Sequence, residues 1–208
     1  MIAIKSTEFI VFDVETTGLS AVDGDRIIEI AAIKLKDFKP VGTFHSLIDP
    51  QRDLPASATN INGITVDMLE GAPTSGEFLP GLIDFIGGGC LVGHNVKFDL
   101  NFVCYELALH GRRIREETPA LDTLKMAKAL IPYLSSYKLS HIAGALGITI
   151  GETHRALSDT QLTADVLLRL VDMAGDRNID DLQEFCRQFS VDKPVFRIAA
   201  QVSQGLLF

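Results

Sequence analysis

The chain opens its apolar pattern with "FIVFDV" at residues 9–14, a run that is hydrophobic at both odd and even positions until its first acid. Such a run fits a strand covered on both faces, in the middle of a sheet. After a polar, glycine-containing loop a second run, "RIIEIAAIKL" at 26–35, follows, and a turn at "KDFKP" leads to a third, "VGTFHSLIDP". Connections this short favour antiparallel neighbours. Farther along, the short apolar runs "CLVG" and "ALDT" alternate with helical stretches, the arrangement of strands added in parallel. The pattern predicts an α/β fold with a mixed five-stranded sheet, three antiparallel strands and then two parallel ones, flanked by helices.

Helical periodicity runs over 77–86, 97–109, 124–131, 139–146 and 158–174. In the last of these Leu162, Val166, Leu170 and Ala174 share a face, Ser158 with Gln161 reads as a capping box, and Gly175 reads as the stop. Past Gly175 the character changes: Leu182, Phe185, Cys186 and Phe189 mark one short amphipathic helix before a tail without period. Residues 1–175 are therefore expected to form the domain and 176–208 an appendage and tail, a possible tether for a partner.

Composition changes this picture in a few places. A length of 208 residues with 47% hydrophobic and 22% charged positions suits one folded domain. The amino-terminal segment lacks the pattern of a signal peptide, and no stretch approaches the ~18 apolar residues of a membrane span, so a cytoplasmic protein without a membrane partner is expected. Cys90, Cys104 and Cys186 are widely spaced among apolar neighbours, which suits buried thiols better than a disulfide frame or a zinc site. The net charge of −8 argues against a protein that grips nucleic acid through a broad basic face.

Chemistry gathers at the ends of the predicted elements. Asp13 and Glu15 are two apart on a strand and so project to the same side. Asp99 falls in the first turn of one predicted helix and Asp159 at the start of the last long one, where a negative charge also suits the helix dipole. Taken singly, each acid fits a solvated strand end or a helix start. Taken together, the four would carry about four negative charges, which two divalent cations, Mg²⁺ or Mn²⁺, would neutralise with hard oxygen ligands. His154 precedes Asp159 by five residues, a spacing that on a helix would leave the two side chains about 140° apart. The two converge only if His154 sits in the loop before the helix, where it would serve as a general base.

These residues lie in three blocks, "FDVETTGL", "GHNVKFDLNFV" and "HRALSDTQLTADVL", and with "TNINGIT", "LDTLKMAK" and "YKLSHIAGALGI" they resemble the DEDDh 3′-to-5′ exonucleases. The resemblance spans about residues 8–174 and is nearest to the proofreading epsilon subunits of bacterial DNA polymerase III. It implies a ribonuclease H-like fold. It also implies Asp13, Glu15, Asp99 and Asp159 as ligands of two divalent metal ions and His154 as the base for the attacking water. By the same resemblance Thr16, Thr17, Gly18 and Leu19 would cradle the terminal nucleotide, and Asn95 and Phe98 would line the cleft, although core packing suits Phe98 equally. Asn62 departs from the pattern, since many relatives carry His there.

The implied activity is release of nucleoside 5′-monophosphates from single-stranded or frayed DNA 3′ ends, with a separate DNA polymerase subunit as partner. The alternatives are a 3′-to-5′ exoribonuclease and a non-catalytic polymerase-assembly scaffold. The chain ends "QGLLF", and Gln204, Leu207 and Phe208 resemble a sliding-clamp-binding pentapeptide, with Gly205 departing from its usual apolar second position. A clamp tether would raise the local concentration of an acidic nuclease at DNA.

Overall fold

The computed structural model describes residues 3–151 and 154–198. Five strands, β1 (Phe9–Thr16), β2 (Ile27–Lys36), β3 (Lys39–Leu47), β4 (Cys90–Gly93) and β5 (Ala120–Asp122), form one sheet in the order β3-β2-β1-β4-β5. The β1–β2 and β2–β3 pairs are antiparallel, and β1–β4 and β4–β5 are parallel. The mixed five-stranded sheet predicted from the alternation of patterns is the one observed, and its topology matches the ribonuclease H-like fold that the resemblance implied.

Strand alternation divides the core in two. Phe9 and Val11 of β1 face a cluster with the buried sides of α6 (Thr123–Leu130), α7 (Leu139–Ala145), α8 (Ala156–Gly175) and α9 (Leu182–Phe189). Ile10, Phe12 and Val14 face the opposite cluster, built with α4 (Pro80–Ile86) and α5 (Lys97–Leu109). Asp13 and Glu15 continue the odd-numbered face and so project toward α8. This parity decides which acids meet.

Four local expectations are corrected. The helix predicted over 77–86 is two short ones, α3 (Ser75–Phe78) and α4, because Pro80 has no N–H to continue the ladder; a Thr74–Glu77 capping box starts the first. Helix α8 begins at Ala156, two residues before Ser158, so the proposed Ser158–Gln161 capping box is not its start. Its first N–H, that of Ala156, donates to the Glu29 carboxylate of β2, while Gln161 reaches Asp165. Gly175 is the last helical residue, and Asp176 follows it in the right-handed region. Two helices had no predicted counterpart, α1 (Ala56–Asn62) and α2 (Val66–Leu69).

Helix α9 joins the first cluster: Phe185 and Phe189 are fully buried there, with their rings 5.6 Å apart. Just beyond it the Val191 N–H donates to the Ala120 carbonyl and Ser190 bridges Leu121, so this segment covers the free edge of β5. Cys90 and Cys104 are buried, Cys186 is half-buried, and all three are free thiols. Among the described residues no helix is long and apolar enough to cross a membrane.

Candidate active site

Pairing of β1 with β4 ends at Val11, so the last residues of β1 run on with one edge unpaired. The Val14 N–H on that stretch donates to Asp99 Oδ1 at 3.1 Å; a carboxylate from α5 takes the place of a strand. On the α8 side, one carboxylate oxygen each from Asp13, Glu15 and Asp159 lie within 4.8 Å of one another. Asp99 comes from the helix on the opposite face and falls outside this trio, although it is buried beside Asp13. Three of the four predicted acids thus form one cluster, and the fourth sits behind it in the plane of the sheet.

The cluster is electrostatically unfavourable without a cation. Burial first, then the charges of Asp99, Glu15, Asp159 and Glu29, push the Asp13 carboxyl far above the ordinary range. Burial, with Asp159 and Glu29, raises Glu15 to about 7 in spite of the Arg155 charge and a hydrogen bond from Asn62. Asp99 is raised to about 8, mainly by burial, against the lowering effect of the Val14 N–H. Asp159 is raised by burial as well, less so because the His154 N–H and charge oppose it. Half-buried carboxylates that hold one another protonated fit a hard divalent ion, whose charge would reverse every one of these shifts.

His154 lies in the loop before α8, as its spacing from Asp159 required. It is exposed and takes the left-handed conformation, φ 65°, uncommon for a residue with a side chain. Its own N–H donates to Asp159 Oδ2 at 3.0 Å, which ties the loop to the cluster.

The turn after β1 is built to present backbone. The Thr16 hydroxyl donates to the Gly18 carbonyl at 2.6 Å. Thr17 is buried: its hydroxyl donates to Asp25 Oδ1 and accepts from the Arg26 N–H, so its side chain faces the protein. The second Asp25 oxygen accepts from the Ser20 N–H at 3.1 Å. A Cβ on Gly18 would lie 2.3 Å from the Asp25 carboxylate, so only glycine fits beneath this clamp. Leu19 beside it is 85% exposed. Asn95 is exposed at φ 59° and its N–H donates to Asp122 Oδ1, whereas the Phe98 ring is half-buried, 5.1 Å from Phe102. Gln204, Leu207 and Phe208 lie outside the described residues.

Several residues at this site went unmarked in the sequence. Glu29 interrupts the apolar run of β2 and is 1% exposed; one acid inside a strand buried on both faces is the signal that could have found it. Asn62, marked in the sequence only as a departure from the family pattern, is buried on α1, where it accepts the Ile64 N–H and lowers the Glu15 carboxyl by hydrogen bonding. Asp25 and Asp122 hold the backbones of Ser20 and Asn95, and Arg155 pairs with Glu29.

A family model described as "Exonuclease" matches residues 10–167. The chain is 41% identical over 160 residues to the PolC-type DNA polymerase III of Clostridium perfringens, covering 77% of this chain and 11% of that protein. It is 36% identical over 186 residues to the PolC-type enzyme of Bacillus subtilis, covering 87% of this chain and 13% of that protein. The chain therefore spans little more than a tenth of the length of these relatives. Among solved structures, exonuclease X in complex with 5′ overhanging duplex DNA superposes with a TM-score of 0.69 at 23% identity, covering 86% of this chain and 98% of that one. E. coli exonuclease I in complex with a dA16 oligonucleotide gives 0.72 at 22% identity, covering 82% and 42%. With acids on β1, α5 and α8 and a histidine ahead of the last, the chain belongs to the exonuclease family, in its DEDDh 3′-to-5′ group.

Proposed function

We propose that the chain hydrolyses DNA from its 3′ end, releasing nucleoside 5′-monophosphates, in the service of a DNA polymerase. The observation that carries this reading is the meeting of Asp13, Glu15 and Asp159 beside a loop that holds His154. Asp13, Glu15 and Asp159 would hold one divalent ion, and Asp99, buried against the same group, is the residue available to a second. Bound there, Mg²⁺ or Mn²⁺ supplies positive charge against the negative charge that develops on the phosphate oxygens.

The chain's own residues account for the rest. His154 takes the proton of the attacking water as the bond from phosphorus to the 3′-oxygen of the next nucleotide breaks. The clamped turn of Thr16, Thr17, Gly18 and Leu19 offers unhindered backbone to the terminal nucleotide, and the exposed Leu19 side chain gives its base an apolar surface. Asn95, held in its left-handed conformation by Asp122, flanks the opposite wall with Phe98 at its base.

The PolC-type names of the relatives support a polymerase as partner. A net charge of −8 supports delivery to DNA by that partner, or by a clamp that captures Gln204, Leu207 and Phe208. Stepwise shortening of 5′-labelled single-stranded or 3′-mismatched DNA in Mg²⁺ or Mn²⁺, abolished by EDTA and by Asp159→Ala, is the expected result. Preference for the matching RNA would move the chain to RNA-end trimming, and no hydrolysis by folded protein would leave a scaffold. Removal of residues 204–208 should abolish clamp binding and leave hydrolysis of short single strands unchanged.

A further inference from the structure

Glu29 is the least expected charge in the molecule. It lies on β2 directly opposite Glu15 on β1, and its charge raises the pKa values of Asp13, Glu15 and Asp159, which the site needs ionised. A buried carboxylate in that position opposes metal-free stability and gains nothing over an apolar residue of similar volume. Its contacts explain its presence. Arg155 grips it with a two-pronged fork, Nε to Oε2 at 3.1 Å and Nη2 to Oε1 at 3.0 Å. The Ala156 N–H donates to Oε2 at 3.1 Å, and His45 Nε2 lies 2.9 Å from Oε1. Burial alone would raise the Glu29 carboxyl, but these partners outweigh it and hold the group below its ordinary range.

These bonds fall on the two residues that follow His154. Arg155 is the N-cap of α8, in extended conformation, and has no side-chain cap of its own. His154 is held at φ 65°, which persists only where the surroundings over-determine it. Asp159 secures the His154 N–H on one side, and Glu29 secures the chain immediately after it on the other. From this geometry we infer that Glu29, through Arg155 and the Ala156 N–H, is the positioning residue for His154 and sets where its imidazole stands over the carboxylate cluster. The inference rests on His154 acting as the base.

The test compares Glu29→Gln, Arg155→Lys, His154→Ala and the Glu29→Gln/His154→Ala pair in hydrolysis of 5′-labelled single-stranded DNA, with DNA and Mn²⁺ each titrated. His154→Ala should lose about 100-fold or more in kcat. Glu29→Gln and Arg155→Lys should each lose about 10- to 100-fold in kcat, the cost of a misplaced catalytic group, with KM and the Mn²⁺ midpoint within about threefold of the parent. In the His154→Ala background Glu29→Gln should cost less than about twofold more, because the residue acts through the imidazole. A full further loss in that background overturns the inference. So does recovery of Glu29→Gln at high Mn²⁺, which would assign Glu29 to keeping Arg155 off the metal carboxylates. If Glu29→Gln melts below the assay temperature, Arg155→Lys, altered at a half-exposed side chain, carries the same expectation. A His154→Ala protein as fast as the parent refutes the base itself, whereas a slow His154→Ala beside wild-type Glu29→Gln and Arg155→Lys refutes only the positioning.

Discussion

Replacing Asp99 by asparagine should stabilise the metal-free protein, and by more as the pH rises. The carboxyl of Asp99 is buried and held at about 8 against an ordinary 3.8. Between those two values the native state binds a proton that the unfolded chain has released, so the stability of the parent falls through that window as pH rises. At about 1.4 kcal/mol per pH unit, the whole window sets a ceiling of about 6 kcal/mol. Asp99→Asn removes the titration while its amide oxygen can still accept the Val14 N–H. Urea unfolding in EDTA, followed by circular dichroism, should give nearly equal stabilities near pH ~4 and a gap of several kcal/mol in favour of the variant near pH ~9. Saturating Mn²⁺ should then narrow the gap, since at about 100 times its Kd an ion that needs Asp99 adds about 2.7 kcal/mol to the parent alone. A gap that does not change with pH, or a variant less stable than the parent at high pH, would refute the reasoning that burial holds this carboxyl protonated.

Three further outcomes follow from the same contacts. Gly18→Ala should raise KM for DNA by about tenfold through displacement of the Asp25 clamp, and Asp25→Gly, which removes the clamp, should cost about as much alone and add little in the same chain, a non-additive pair measurable by steady-state kinetics. Asn62→Ala leaves the Ile64 N–H without its acceptor and Glu15 without its donor, and should cost about 1–3 kcal/mol in urea unfolding in EDTA. Phe189→Ala should cost about 3–5 kcal/mol by the same method and should speed hydrogen exchange at the Val191 amide, because the ring anchors the segment that covers β5.

The sheet was readable because its strands are extreme cases. β1 and β2 are apolar on both faces, and the glycine loop and the short turn between successive runs leave little choice of direction. The same logic failed where an element is too short to show a period. Helix α1 buries only Ala58 and Asn62 in seven residues, and the four-residue α2 buries only Leu69, so neither carries an apolar stripe for a pattern to find. The start of α8 was misplaced for a different reason. Local sequence offered a Ser158 cap, but the group that satisfies the first N–H arrives from β2, 127 residues away in sequence.

The site divides along the same line. Asp13, Glu15 and Asp159 could be paired on paper, because strand alternation and the loop position of His154 are local rules. That Asp99 stands apart from them could not, since it depends on the β1–β4 pairing ending at Val11–Val92 and leaving Val14 to be capped from α5. Glu29 shows how a sequence can display such a residue without revealing its use. An acid in "RIIEIAAIKL" breaks an otherwise apolar strand, and buried carboxylates persist only with partners. Its partner is the arginine beside the histidine in "HRALSD", 126 residues away in sequence. The pairing joins β2 to the threshold of α8 beside the loop histidine, and by the inference above its value to the chemistry outweighs the repulsion it brings to the metal-free cluster.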